Sequence, residues 1–263
     1  MFQNIAITTE YFKQYRKKLG FTSQSAAEDF FAAKDIVPKV DLHYVGTLNA
    51  RLSEIVDRIN GVVAEEIKLD NPAVFKRERI FRAFSIMRRS GILPILTNQG
   101  RRPEQVYFNW MRGYVIQHFF LKALGLIFET NVANIKAIGD DDLKTIDTFK
   151  RTPKADMEIL LKGKEKLRIE MQSGFTGIND VKQHKVLEAK KVFQNKGIHS
   201  LAIHFDLYNG QVAFLKLDEV KENSTSWITR QQMEGQTVFN IDQNHFVWKI
   251  TEPHIKYKEI DFS

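Results

Sequence analysis

Ala155-Asp156-Met157-Glu158-Ile159-Leu160-Leu161, Lys162-Gly163-Lys164-Glu165-Lys166 and Leu167-Arg168-Ile169-Glu170-Met171-Gln172 are consecutive stretches of the chain. Two alternating runs about a short polar segment containing glycine predict a β-hairpin. Side chains alternate between the faces of a strand, so Met157, Ile159, Leu161, Leu167, Ile169 and Met171 share an apolar face. Asp156, Glu158, Arg168, Glu170 and Gln172 take the other. A three-residue loop centred on Gly163 sets Asp156 opposite Glu170 and Glu158 opposite Arg168. A two-residue turn at Gly163-Lys164 would instead move Asp156 to the apolar set. Facing carboxylates, with Cβ atoms about 4.5–5.5 Å apart, repel unless a cation lies between them. Hard oxygen ligands of this kind suit Mg²⁺. Glu158 is read either as a ligand of a second ion or, in preference, as the partner of Arg168.

Before the hairpin, Pro103 and Glu104 open a helix that carries Val106, Trp110, Tyr114, Ile116, Phe120, Leu121 and Leu124 and stops at Gly125. Residues 126–131 and 145–150 read as short strands, with Asp140-Asp141-Asp142 as a polar loop between them. Consecutive carboxylates cannot all face one ion, so the loop is read as solvated or as a helix cap. After the hairpin, residues 178–195 read as an amphipathic helix closed by Gly197. Strands at 200–207 and 211–217 follow, joined by Asn209-Gly210, the pair favoured in a type I′ turn. A short helix near 218–227 and strands near 237–241 and 245–250 complete this half.

The first hundred residues read as helices. Ser25 and Glu28 have capping-box spacing, and residues 47–68 carry Leu48, Leu52, Ile55, Ile59 and Val63 at helical spacing. Asn71-Pro72 opens the next helix and Gly91 closes it, with Ile80, Phe81, Phe84 and Met87 as its apolar stripe. The expected fold is α/β (α+β), a mixed β-sheet flanked by helices. Residues 1–100 would form a helical DNA-binding or accessory region and 101–263 the core.

The 263 residues are 43% apolar and 27% charged, with 14 Gly and 6 Pro, an ordinary globular composition. No apolar run approaches the roughly 18 residues of a membrane span, and Met1-Phe2-Gln3-Asn4 begins no signal peptide. The absence of cysteine excludes disulfides, thiolate nucleophiles and sulfur-ligated zinc. A soluble, cytoplasmic protein is expected, with no membrane partner. Glycine-rich phosphate loops are absent, so no nucleotide cofactor is expected. His199, His204 and His245 show no metal-ligand spacing and read as core or surface residues.

Lys plus Arg number 39 against 32 Asp plus Glu, a net +7, which suggests a polyanionic partner. The excess is concentrated in residues 72–89, where Lys76, Arg77, Arg79, Arg82, Arg88 and Arg89 face Glu78 alone. This helix reads either as a phosphate clamp or as the solvated face of a core helix. Arg, Asn and Gln are the side chains that bond base edges. They cluster in Thr97-Asn98-Gln99-Gly100-Arg101-Arg102 and in Thr229-Arg230-Gln231-Gln232-Met233-Glu234-Gly235-Gln236, both read as loops.

Pro153-x-x-Asp156 followed by Glu170-Met171-Gln172, placed after a helix and two strands and before a helix, resembles the PD-(D/E)XK nuclease superfamily. Gln172 at the usual Lys position is similar to the Glu-x-Gln branch among type II restriction endonucleases. The likeness covers residues 103–217, and Pro153 departs from the pattern by standing three residues before the aspartate. It implies a restriction-endonuclease-like sheet in which Asp156, Glu170 and the Met171 carbonyl hold Mg²⁺ at the scissile phosphate. Gln172 can orient an attacking water but has no usable pKa. A lysine from the next helix, Lys182 or Lys185, with His184 behind them, would supply the missing charge. Gln117 falls where family members often carry a helical Glu, and is read either as a water ligand or as packing.

The expected function is that of a Mg²⁺-dependent type II restriction endonuclease. It would cut both strands of double-stranded DNA at a short site as a homodimer. The alternatives are a structure-specific repair or recombination nuclease and a non-catalytic DNA-binding protein.

Overall fold

The computed structural model describes residues 8–96, 101–139, 154–161, 165–230 and 235–262. Helices come first: α1 (Thr9–Lys18), α2 (Gln24–Phe31), α3 (Leu42–Val62) and α4 (Pro72–Lys76), the last running through a π-turn (Arg77–Phe81) into α5 (Arg82–Arg89). Next are α6 (Pro103–Phe119), α7 (Leu121–Ile127), β1 (Ile135–Ala137), β2 (Met157–Leu160), β3 (Lys166–Gly174), β4 (Asp180–Lys182) and α8 (Gln183–Lys196). The chain continues through β5 (His199–Asp206), β6 (Gln211–Lys216), β7 (Trp227–Arg230), β8 (Gln236–Asn240) and β9 (Phe246–Lys249).

The fold is mixed α/β, with helices at its N-terminal end. A six-stranded sheet has the order β1-β2-β3-β5-β6-β9, and a three-stranded antiparallel sheet the order β4-β8-β7. The β3–β5 pair is parallel and the other pairs of the main sheet are antiparallel. A parallel neighbour requires a crossover, and α8 provides it. Its end is set by Gly197, whose φ of 63° is the left-handed cap that glycine adopts without penalty.

The hairpin register places Met157 opposite Ile169, Glu158 opposite Arg168 and Ile159 opposite Leu167, as the loop parity predicts. Leu167, Ile169, Leu201, Ile203 and Phe205 point into one core with α3, α5, α6 and α7, so helices from both sides of residue 100 share it. Ala202, Ala213 and Leu215, on the opposite face, pack beneath Val186 and Ala189 of α8 together with Val181 and Phe239 of the small sheet. The face bearing Arg168, Glu170 and Gln172 is therefore the one that α8 covers.

Several boundaries differ from the sequence reading, each for a local reason. Residues 126–131 form no strand: α7 runs to Ile127, and Glu129 takes a positive φ of 49° before β1 begins at Ile135. Gly125 lies inside that helix, where a Cβ would stand 3.1 Å from the Thr130 carbonyl oxygen. Residues 178–182 precede α8 rather than belonging to it, because β4 pairs with β8. The cap of α2 is Ser23, not Ser25; its hydroxyl accepts from the Ala26 N–H at 3.1 Å. α3 starts earlier than expected, because Asp41 accepts from the His43 and Tyr44 N–H groups at 3.0 Å.

The 206–211 connection is not a type I′ turn. The Asp206 carboxylate accepts from the Tyr208 and Asn209 N–H groups, and only Gly210 has positive φ there. The helix expected near 218–227 reduces to a 3₁₀ turn at Leu217–Glu219. The π-turn breaks the expected apolar stripe: Ile80 and Met87 are fully buried, Ala83 joins them, and Phe81 swings out to 46% exposure. The readings of 140–142 and 145–150 lie outside the described residues.

Candidate active site

Asp156 and Glu170 lie just past the end of the β2–β3 pairing, whose register stops at Met157 and Ile169. The Asp156 N–H donates to the Ile169 carbonyl at 3.0 Å, while its own carbonyl accepts from Ile138 and Gly139. Its Oδ2 accepts from the Met171 N–H at 2.7 Å. Within a strand, one residue turns its N–H and C=O to the same side, so the Met171 carbonyl also faces β2. Glu170, one residue earlier, is 6% exposed and lies on the α8 face.

Lys185 reaches that face from the first turns of α8. Its Nζ donates to Glu170 Oε2 at 2.9 Å and to the Lys154 carbonyl at 3.0 Å. Charge and position thus come from a helix residue where Gln172 offers only an amide. Gln172 Oε1 is buried and has no hydrogen-bond partner among the described residues. The donor chemistry of Asp156, Glu170 and the Met171 carbonyl, all hard oxygens, fits Mg²⁺.

Breaking a buried pair leaves an uncompensated charge and costs several kcal/mol. With Lys185 one-fifth exposed, Lys185→Met is expected to lower unfolding stability by about 2–3 kcal/mol. The double variant Lys185→Met/Glu170→Gln should recover most of that loss in urea denaturation. Equal stability of the single variant and the wild type would show that the pair carries no net weight.

Behind the acids lies a buried polar network with no counterpart in any sequence motif. Asn179 donates to Asp206 at 3.1 Å and accepts from His204 Nε2 at 2.7 Å. Gly174 is required beside it, since a Cβ there would stand 2.8 Å from both Asn179 Oδ1 and His204 Nε2. Burial holds the His204 imidazole down to about 4, against the pull of Asp206 and Asp180. Burial opposes ionisation of Asp206, and hydrogen bonds from Asn209, Asn179 and Gln211 overcome it, keeping that carboxyl below its ordinary value.

A cavity of ≈ 250 Å³ opens on the other side of Asp156, lined by Arg79, Tyr114, Gln117, His118 and Gly139. Gln117 therefore faces the same space as the aspartate. A second grouping, His199, Asp218 and Glu219, has ligand atoms within 4.8 Å of one another. Its members are committed elsewhere: Asp218 accepts from His199 and the Ser200 N–H at 2.7 Å, and Glu219 pairs with Lys216.

No family model, curated protein or solved structure matches this chain. The site therefore rests on its own chemistry.

The other residues singled out in the sequence divide by partner. Glu158 pairs with Lys166 at 3.1 Å rather than with Arg168, its register partner. Lys182 occupies the N-cap of α8, and burial first, then Lys182 and Lys185, lowers the pKa of His184. Lys76 pairs with Asp57, while Arg77 and Arg82 share Glu78. Arg89 donates to the Ser85 carbonyl, and Arg88 has no ion pair among the described residues. Arg101 lines a cleft with Tyr44, Gln105 and Asn109.

Arg102 holds Glu104, which is 1% exposed and also accepts from the Asp41 N–H. Arg230 lies in β7, not in a loop, and grips Asp180 with two hydrogen bonds of 2.8 and 3.2 Å. Gln231 and Gln232, like Pro153, Asn98 and Gln99, lie outside the described residues.

Proposed function

We propose that the chain is a Mg²⁺-dependent endonuclease of the PD-(D/E)XK kind, acting on double-stranded DNA at a short sequence in the manner of a type II restriction enzyme. The observation that carries this reading is the anchoring of Asp156 on the Met171 N–H, next in β3 to Glu170, which Lys185 of α8 grips at 2.9 Å. The order of elements supports it: helix, three antiparallel strands, helix, then a strand parallel to the third. When bound, Mg²⁺ supplies Lewis acidity, lowering the pKa of water and offsetting charge that develops on the phosphate.

The chain's own residues do the rest. Asp156 and Glu170 provide the oxygens, and the Met171 N–H fixes the orientation of the first. Lys185 neutralises Glu170 and brings an ammonium to the place left uncharged by Gln172. That amide can hold a water by hydrogen bonding without taking its proton. A homodimer and a cytoplasmic setting belong to this reading. The exposed Tyr11, Phe12, Phe30 and Phe31 of α1 and α2 are apolar surface of the sort that subunit contacts cover. No helix among the described residues is long and apolar enough to cross a membrane.

Incubation with mixed-sequence duplex and Mg²⁺ tests the reading. Discrete fragments with mapped ends are expected; products confined to branches or ends would replace restriction with structure-specific cleavage. One observation favours a non-catalytic DNA-binding protein. Glu170 and Lys185 already form a closed pair, as purely structural ions do, and intact DNA would establish that alternative.

For the basic helix, Arg82→Ala and Arg88→Ala should weaken binding to all duplex sequences alike. Each should reduce the slope of log affinity against log salt by about 0.9 for every phosphate that the arginine neutralises in the wild type. Unchanged slopes in both would leave the helix as a solvated face.

A further inference from the structure

We infer that the cavity between the π-turn, α6 and β1 is the seat of a substrate phosphate, with Arg79 as its cation. The location of the cavity at the cleavage site rests on the function proposed above; the anion seat itself does not.

Arg79 is the basic residue of its helix that is half-buried without an ion pair among the described residues: Lys76, Arg77 and Arg82 each have a carboxylate partner, and Arg88 and Arg89, which have none there, are exposed. The hydrogen bond of Arg79 is a long one of 3.5 Å to the Tyr114 hydroxyl. A guanidinium held out of bulk water without an acid is a strong anion acceptor, and its planar fork matches two phosphate oxygens.

The surroundings are built to hold it there. Tyr114 is 6% exposed, stacked on Trp110 with centroids 5.0 Å apart, and packed against His118 at 4.2 Å. His118 Nδ1 lies 2.8 Å from the Tyr114 carbonyl, which can only accept, so that nitrogen carries the proton. Burial first, and then the charge of Arg79, keep this imidazole neutral down to about 4. With that imidazole neutral, Arg79 is the one cation among the described residues that line the cavity. The π-turn, an element found often at functional sites, sets Arg79 beside the buried Ile80 while Phe81 turns to solvent.

Asp156 lines the same cavity. An anion held there by Arg79 thus shares the cavity with the carboxylate proposed to take Mg²⁺, where the bond to be cut would lie. Arg79 is then a catalytic residue in contact with substrate, and its loss should act on turnover more than on affinity.

The test uses the full chain and the variants Arg79→Ala and Arg79→Lys, with unfolding midpoints recorded to show that each folds. In EDTA, calorimetry compares a 5′-phosphorylated thymidine dinucleotide with its unphosphorylated form. The wild type is expected to prefer the phosphorylated probe, and Arg79→Ala to lose about tenfold in affinity for it. With Mg²⁺, single-turnover cleavage of duplex should fall about 100-fold in Arg79→Ala, the order for removing one donor to developing charge. Duplex affinity should change far less, and Arg79→Lys should recover part of the rate.

Equal affinity of wild type and Arg79→Ala for the phosphorylated probe, or wild-type single-turnover rates in a folded Arg79→Ala, would overturn the inference while leaving the nuclease reading intact. Arg79-dependent phosphate binding in a protein that cuts no duplex would sustain the seat and end the nuclease reading.

Discussion

Asp156→Asn is expected to lower Mg²⁺-dependent cleavage by about 10³-fold, a barrier increase of roughly 4 kcal/mol, with duplex binding in EDTA little changed. The substitution is chosen for its geometry. The amide oxygen of asparagine can still accept from the Met171 N–H that now bonds Asp156 Oδ2 at 2.7 Å, so the strand gap keeps its shape. What disappears is the negative charge, and with it a hard ligand for a divalent ion. Glu170→Gln should match it in rate, although it also frees Lys185 from its 2.9 Å contact. Gel-shift affinity and cleavage rate, measured on one duplex, separate the two effects. Turnover at the wild-type rate in either variant would remove that carboxylate from the site.

The second large effect is on stability in acid. His204 and His118 are held down to about 4 from an ordinary 6.5, each mainly by burial. In the unfolded chain both imidazoles take up protons below about pH 6.5, which the native state refuses until about pH 4. Their stabilisation is therefore complete above 6.5 and is lost as pH falls through that window, by up to about 3 kcal/mol for each imidazole. Asp206 and Glu104, whose pKa values are lowered, follow the carboxylate rule, and their contribution disappears at still lower pH. Urea denaturation at intervals between pH 7 and 4.5 should show a steep fall, reduced in slope by His118→Gln. A flat profile over that range would mean that neither ring is held neutral by the fold.

The hairpin was legible because its information is local. Period-two alternation across Met157–Leu160 and Lys166–Gly174 fixes which residues share a face, and loop parity fixes the register. The start of the helix at Pro103 and the αL cap at Gly197 were legible for the same reason, whereas the break at Phe120 between α6 and α7 was not. Failures arose where distant residues decide. Residues 178–182 read as the start of the helix that follows, yet Asp180 is held in β4 by Arg230 and Asn240. Leu126, Ile127 and Phe128 are an apolar run too short to tell strand from helix.

At the site, sequence placed Lys182 and Lys185 on the next helix, but only the seating of α8 on β3 distinguishes them. Arg168 keeps a buried Nε without a hydrogen-bond partner among the described residues, because Lys166, closer to the hairpin loop, takes Glu158 instead. The Asn179–His204–Asp206 network has no local signature, since its members come from β5 and from the connection between β3 and β4. Arg79 stood undistinguished within a basic run until folding gave partners to its neighbours.

An α-helix turns about 100° with each residue, and the π-turn at Arg77–Phe81 inserts one residue beyond that rhythm. The rod from Pro72 to Arg89 is therefore two helices out of phase. Removing a single residue between 77 and 81 would close the wide turn into regular α-helix and leave the C-terminal half facing as it does now, because the π-turn already absorbs the extra residue. Met87 would stay in the core. In a set of related chains, those that lack the insertion should be recognisable by a one-position gap here, with the apolar pattern on either side of the gap unchanged.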